Sequence, residues 1–255
     1  MDIEHVNKAI VENYGKMRTR MGALALAFPL VVVAAGCIWG IGLMPTLSDY
    51  YFADPSITKG RADLTPVRVW FCGVLAIVGF FLWKYAGFSK NEDRWLNAAG
   101  SFALGVAIFP MTFDGKNDFN PFPAIGLPQL SPHGVCAVLA FVCIAIVIVW
   151  YADSTLAELK QAEPAAYSWF RNVYRGIAVF MVVSIGFAVI MHYASQKQGS
   201  WILIAEAFGI WAFGAYWFVK NWELEEVKKV LKSKGPPTAP APQIGKTKAD
   251  IVDAL

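Results

Sequence analysis

Long uncharged stretches alternate with short charged segments along most of the chain. The clearest stretch begins at His133 and continues without a charged residue to Asp153. Nineteen uncharged residues separate these two positions. An α-helix of that length, rising about 1.5 Å per residue, crosses the roughly 30 Å hydrocarbon core of a bilayer. The pattern therefore predicts a transmembrane helix with an imidazole at its mouth.

Five further stretches repeat this pattern, which predicts an all-α polytopic membrane protein folded as a six-transmembrane-helix bundle. The bundle occupies residues 21–220, after a polar N-terminal tail over residues 1–20. A helix extension over residues 221–234 and a proline-rich flexible tail over residues 235–255 follow it. The predicted spans are residues 21–44, 67–85, 95–113, 133–151, 174–193 and 201–219.

Composition agrees with a membrane location. Of 255 residues, 56% are hydrophobic and only 16% are charged, and the mean hydropathy is +0.45, which is too apolar for a soluble domain. The four cysteines lie in apolar windows without CxxC spacing, so they do not indicate a disulfide framework. Basic residues are scattered and the formal net charge is only +3, which argues against a nucleic-acid partner. The sequence thus predicts an integral, multi-pass protein without identifying its membrane.

The distribution of cations predicts the orientation. If the N-terminus is cytoplasmic, the cytoplasmic segments carry 17 Lys and Arg residues and the opposite side carries five. Cytoplasmic segments of membrane proteins are enriched in Lys and Arg, so we predict that both termini are cytoplasmic. Tryptophans near the span ends fit the aromatic belts of a bilayer interface. They are Trp39, Trp70, Trp95, Trp150, Trp201 and Trp222.

Polar residues near the span ends form a predicted cluster on the non-cytoplasmic side. His133 is either a boundary residue at the interface or one wall of a polar site. Glu206 lies inside the sixth span, where a carboxylate must be paired, protonated or in contact with water. It forms either a structural pair with Arg68 or His192, or part of a functional pocket. The predicted ligand-binding residues are Ser48, Asp49, Arg68, His133, His192 and Glu206.

Three short motifs together carry a resemblance to a known family. Ser48 and Asp49 follow the first span, His133 opens the fourth, and Glu206 lies in the sixth. With these motifs the chain resembles the DRAM/Frag/Sfk family over about residues 28–227. That family contains six-span proteins of the endomembrane and plasma membrane, among them autophagy modulators and a factor for lipid remodelling. The resemblance implies the fold more than it implies a reaction.

The function favoured by these features is non-enzymatic. We predict a protein that binds membrane lipid, or an accessory subunit whose helix faces and C-terminal tail contact protein partners. Arg68 and His133 would contact a lipid phosphate, and Glu206 would contact an amine or hydroxyl. A bound lipid is the expected ligand, with no other cofactor. The chain has no Walker loop, no dinucleotide-binding glycine motif and no G-x-S-x-G elbow.

The alternative is a metal-dependent membrane lipid hydrolase or lipid-remodelling enzyme. Two histidines and a nearby carboxylate would bind zinc and activate water. The sequence lacks the His-x-x-x-His pair of known membrane hydrolases of this kind, which disfavours this alternative. Its candidate metal ligands are His133 and His192 with a carboxylate from Asp49, Asp114 or Glu206. The candidate catalytic residues are Ser48, Asp49, His133 and Glu206.

Overall fold

The protein is described by a computed structural model that covers residues 3–51, 66–109, 131–194 and 200–233. These residues are largely helical, and no strand occurs among them, so the predicted all-α fold is confirmed. The helices are α1 (Ile3–Ile38), α2 (Pro66–Lys84), α3 (Lys90–Ile108), α4 (Pro132–Ile146), α5 (Ala157–Ala162), α6 (Pro164–Ala194) and α7 (Trp201–Ser233).

Within the described ranges, five helical segments are long and apolar enough to cross a membrane. This agrees with an integral, multi-pass membrane protein. Helix α3 is not among the five, because its first turns carry the charged run Lys90-Asn-Glu-Asp-Arg94 and leave only residues 95–108 uncharged. The five segments are Glu12–Ile38, Val67–Lys84, Pro132–Thr155, Pro164–His192 and Trp201–Ser233.

Local sequence signals set several helix ends. Ser89 caps α3 by accepting a hydrogen bond from the backbone N–H of Glu92. Ser131 caps α4 in the same way, and Pro132 occupies the first helical position, where its missing N–H costs nothing. Helix α4 does not stop sharply, but continues as a π-helical turn (Val147–Tyr151) and a 3₁₀ turn (Ala152–Thr155).

The long helices of the described chain pack as a closed ring. Going round it, the order is α1, α2, α3, α4, α6 and α7, and α7 packs against α1 again. Gly22 of α1 and Gly214 of α7 let the first and last helices approach closely, because a Cβ added at either would lie 3.1 Å from the carbonyl oxygen of the other. The contact between α4 and α6 is the least extensive in the ring.

The outer surface of the ring is apolar. Leu30, Phe80, Phe180 and Val183 are all at least half exposed, which would be unfavourable in water but suits contact with lipid chains. The six tryptophans expected at the interfaces are exposed as well. Trp39, Trp70 and Trp201 lie at one end of the ring, whereas Trp95, Trp150 and Trp222 lie at the other.

Two predicted segments differ from what the structure shows. Residues 1–20 were expected to form a polar tail, but from Ile3 onward they continue directly into α1, and the side chain of Arg18 is buried. The charged residues of this segment interrupt the apolar pattern, so the absence of charge indicates only the apolar part of the helix. Helix α6 likewise begins at Pro164, well before the predicted span. The predicted flexible tail over residues 235–255 lies outside the described residues.

The contact between α2 and α3 gives a first testable prediction. A Cβ added at Gly100 would lie 2.7 Å from the carbonyl oxygen of Gly79, closer than real Cβ atoms approach a backbone oxygen. We expect Gly100→Ala to force the two helices apart and to lower the free energy of unfolding by about 1–3 kcal/mol. Thermal unfolding in a mild detergent measures this. Gly73→Ala on α2 is the matched control, because a Cβ there meets nothing within 4 Å, and equal melting temperatures for the two variants would contradict the prediction.

Candidate functional site

A tight turn after α1 carries the first site residue. Gly40 and Gly42 both have positive φ angles, of 75° and 78°, which glycine tolerates best, and they redirect the chain at the end of α1. Thr46 and Asp49 then form a reciprocal pair: the Asp49 N–H donates to the Thr46 hydroxyl at 2.9 Å, and the Thr46 N–H donates to the Asp49 carboxylate at 3.2 Å. Ser48 lies between them, so its position is fixed by the turn.

Helix α7 holds this turn in place. The Oε2 atom of Glu206 accepts a hydrogen bond from the backbone N–H of Leu47 at 2.7 Å. The N–H of Leu203 donates to the carbonyl of Pro45 at 3.0 Å. Glu206 thus gives a buried backbone donor its acceptor. The acidic residue of the sixth predicted span and the Ser-Asp turn after the first are therefore neighbours.

His133 faces the same turn from the first helical residues of α4. Its side chain is 2% exposed, and its ring stacks on Phe71 at a centroid distance of 6.2 Å. Nδ1 lies 3.0 Å from the carbonyl oxygen of Phe109, and Nε2 lies 3.0 Å from the Ser48 hydroxyl. Because a carbonyl can only accept, Nδ1 carries the hydrogen. In the neutral ring Nε2 is then an acceptor, and the Ser48 hydroxyl donates to it.

These residues border a cavity of about 460 Å³ inside the ring. Its polar groups gather at the end where α4 begins, which we call the His133 end. From Ser131 the cavity follows α4 as far as Ile144, a distance of about 20 Å for a regular helix. The rest of its wall is apolar. The polar side chains at its border are Thr46, Ser48, Ser131, His133, His192 and Glu206.

The boundary between α4 and α6 forms part of the cavity wall. Val138 of α4 and Val189 of α6 both line the cavity there, and their side chains are 38% and 37% exposed. This is also where the ring has its least extensive helix contact. This boundary is therefore the least closely packed part of the ring.

The remaining predicted site residues lie near this end in different roles. Arg68 donates from Nε to the carbonyl of Tyr51 at 2.7 Å, and its guanidinium lies 4.8 Å from the centroid of the Tyr51 ring. Tyr51 also contacts His133 edge to face. Asp49 stabilises the turn, as described, and His192 borders the cavity. Asp114 lies outside the described residues.

The zinc alternative finds no support among the described residues. Across residues 3–51, 66–109, 131–194 and 200–233, no three His, Cys, Asp or Glu side chains are grouped so that they could hold a metal ion. Both ring nitrogens of His133 already face oxygen atoms. A metal ligand needs one of them as a free lone pair directed at the metal.

A second polar cluster, which the sequence did not predict, lies at the opposite end of the ring, the Lys220 end. Lys220 and Glu223 of α7 are each 1% exposed, and Lys220 Nζ lies 3.1 Å from Glu223 Oε2. Thr155 and Tyr174 donate their hydroxyl hydrogens to the same carboxylate. Lys220 also donates to the carbonyl of Ala152 at 2.9 Å, which fixes the irregular turns after α4.

Arg18 joins this cluster from α1. Its guanidinium donates to the Tyr85 hydroxyl at 2.6 and 2.9 Å and to the carbonyl of Lys220 at 3.0 Å. Burial raises the pKa of the Tyr85 phenol to about 12, against the opposing effect of Arg18, so the phenol stays a neutral hydrogen-bond partner. Burial also raises the pKa of the Glu92 carboxyl above its usual value, although the nearby Lys220 and Arg18 partly oppose this effect. The cluster is densely packed and joins α1, α3, α6 and α7.

Comparisons of the chain with protein-family models, with curated proteins and with solved structures gave no match. The site is therefore interpreted from its own residues.

The Lys220 cluster gives a second prediction. Lys220→Met leaves the Glu223 carboxylate buried without its cation, and breaking a buried pair in this way costs about 3–5 kcal/mol of stability. We expect a marked loss of thermal stability in detergent. Replacing both charged residues by apolar ones, in the double variant Lys220→Met/Glu223→Leu, should recover much of the lost stability.

Lys229→Met is the matched control for this experiment. Lys229 forms the same i,i+3 type of ion pair, with Glu226, on the same helix, but its side chain is 70% exposed. Its loss should leave the melting temperature almost unchanged. If both single variants melted at the same temperature, the Lys220 cluster would not be a main source of stability.

Proposed function

We propose that this protein binds a membrane lipid inside the helix ring. The supporting observation is the shape and polarity of the cavity: an apolar passage about 20 Å deep whose polar groups are confined to one end. Its volume of about 460 Å³ falls in the usual range for small-molecule sites. An acyl chain fits the apolar part, and its polar group then lies beside Ser48, His133 and Glu206.

The polar end limits which head group can bind. His133 and Ser48 offer a paired hydroxyl and imidazole, and Glu206 offers a carboxylate that already accepts from Leu47. An amine or hydroxyl of the lipid head group suits Glu206, because it can donate a hydrogen bond to the carboxyl oxygens. Arg68, by contrast, is directed at Tyr51, so it supports phosphate binding less well than Glu206 supports a donor group.

The resemblance to the DRAM/Frag/Sfk family remains part of the proposal. Its motif residues Ser48, Asp49, His133 and Glu206 lie at one end of the ring, which supports a common site for them. A role as accessory subunit has no comparable support among the described residues. Recovery of a stoichiometric protein partner in place of a lipid would favour it.

We also propose that α3 is the sixth membrane span, as predicted for residues 95–113. Helix α3 stands in the ring between α2 and α4. Glu92 near its start belongs to the Lys220 end, whereas the carbonyl of Phe109 after its last turn contacts His133. The helix thus reaches from one polar end of the ring to the other. Six spans place both termini on one side, and the cation count favours the cytoplasm.

Cysteine labelling tests this orientation. In a variant without the four native cysteines, Leu43→Cys and Leu231→Cys introduce single thiols at exposed positions near opposite ends of the ring. A membrane-impermeant maleimide added to intact cells that carry the chain in the plasma membrane should modify Cys at position 43 only. Lysed cells, in which both positions should react, are the control. Labelling of position 231 in intact cells would refute the proposed orientation.

Photolabelling tests lipid binding. A fatty-acyl probe with a diazirine near the end of its chain, incubated with the full chain in detergent, should label residues deep in the cavity such as Phe141 and Phe213. An excess of unlabelled lipid should suppress this labelling. Labelling confined to outward-facing residues such as Phe180, or labelling that no competitor reduces, would show that the cavity holds no lipid.

The same photolabelling assay tests whether a lipid enters the cavity between α4 and α6. Val138→Trp and Val189→Trp place a bulky ring at the boundary between α4 and α6. Each should slow labelling of the cavity about tenfold or more, which corresponds to an added barrier of about 1.4 kcal/mol. Val142→Trp on α4 and Val183→Trp on α6 are the controls. These valines are exposed at 45% and 61% and do not line the cavity. Equal labelling of all four variants would exclude entry between α4 and α6.

A further inference from the structure

The contact between Ser48 and His133 has the arrangement of a nucleophile and its base. The hydroxyl donates to Nε2 at 3.0 Å, while the carbonyl of Phe109 holds Nδ1–H at 3.0 Å and so fixes the orientation of the ring. Activation of a serine requires these three parts: a hydroxyl, a neighbouring base and a group that orients the base. Here a backbone carbonyl takes the third part, where many enzymes use a carboxylate.

The surroundings keep this arrangement rigid. Phe71 stacks on the imidazole and Tyr51 contacts its edge, so the ring has little freedom to rotate. The Thr46–Asp49 pair fixes the turn on one side of Ser48, and Glu206 anchors it to α7. Holding reacting groups in the geometry of attack lowers the barrier of a reaction.

The location of the pair suits a particular substrate. Ser48 and His133 both border the cavity, at the end where the apolar passage becomes polar. A lipid whose acyl chain fills the passage has its carboxyl-derived carbon at this boundary. That carbon is the electrophile of an acyl ester, and it would lie next to the Ser48 hydroxyl.

We propose that Ser48 is a nucleophile activated by His133, and that it accepts the acyl group of a lipid carboxylic ester bound in the cavity. This inference rests on the proposed lipid binding, to which it adds a reaction. It assigns catalytic roles to Ser48 and His133 and a positioning role to the carbonyl of Phe109.

The reaction balances with water as the second substrate. Ser48 Oγ attacks the ester carbonyl carbon while its proton moves to His133 Nε2. The carbon–oxygen bond to the alcohol then breaks, and the alcohol leaves with that proton, so Ser48 carries the acyl group. Water attacks the acyl-serine and gives a proton to Nε2, which returns it to Ser48 as the ester bond breaks. The products are a free fatty acid and an alcohol, and no oxidation state changes.

A long-chain alkyl fluorophosphonate tests this directly. Its alkyl chain suits the cavity, and an activated serine displaces its fluoride to form a stable phosphonate ester. After incubation with the full chain in detergent, the intact mass should rise by one phosphonyl group, and peptide mapping should place it on Ser48. This result requires no variant, so it does not depend on whether a variant folds. No adduct, or an adduct only at other serines, would overturn the proposal.

Variants separate activation from simple exposure of the hydroxyl. Ser48→Ala should abolish the adduct, and His133→Gln should slow its formation by about 100-fold or more, which is the usual contribution of a general base. Ser101→Ala is the control, because Ser101 lies on the exposed side of α3 and its hydroxyl donates to the carbonyl of Asn97. An unchanged rate in a folded His133→Gln protein would remove the histidine from the mechanism.

The diazirine probe distinguishes failure of this inference from failure of lipid binding. If the wild-type cavity is photolabelled but the fluorophosphonate does not react, the protein binds lipid and the hydrogen bond between Ser48 and His133 is structural. If neither probe enters the cavity, both proposals are wrong. An adduct on Ser48 together with release of fatty acid from a bound ester supports the reaction.

Discussion

Hydrocarbon provides no hydrogen-bonding partners, so the polar groups of a membrane protein have to be paired within the protein or placed near water. Among the described residues of this ring, the buried charged side chains and His133 gather at two ends, whereas Ser184 lies between them on α6. The Lys220 end pairs Arg18, Lys220 and Glu223 with phenols, hydroxyls and carbonyls. The His133 end pairs the imidazole with the Ser48 hydroxyl and the Glu206 carboxyl group with the backbone N–H of Leu47, in the same turn. Both arrangements join helices that are distant in sequence, so the pairing also determines how the ring closes.

The two ends differ in how their space is filled, and this difference produces the cavity. At the Lys220 end, large aromatic side chains occupy the centre of the ring, and Tyr85 and Trp217 pack edge to face at 4.8 Å. Towards the His133 end, the inward positions of the helices are often alanine, as at Ala103, Ala140 and Ala188. Small side chains on facing helices cannot fill the centre, so a passage remains. One end therefore suits stability and the other suits binding.

The sequence was informative where the relevant signal is local. Uncharged windows located the apolar helices, and the cost of a carboxylate in a span drew attention to Glu206. It was uninformative where burial depends on ring closure. Arg18 and Lys220 looked like flanking charges, yet α1 and α7 bring them together across most of the chain. The hydrogen bond between Ser48 and His133 was likewise hidden, because spacing along a chain does not show which ends meet.

The two polar clusters differ in the space that they leave for a bound molecule. A fully packed cluster such as that around Lys220 leaves no room for a substrate, and its groups are already used in holding four helices together. The Ser48–His133 pair has a different setting, since its atoms border an open cavity while neighbouring groups perform the structural pairing. Binding the turn to α7 does not need the Ser48 hydroxyl, because Glu206 and the backbone of Pro45 already provide that connection. Ser48 thus combines two roles that are compatible: its hydroxyl satisfies the buried Nε2 of His133, and it borders the cavity, which is the setting that the proposed reaction needs.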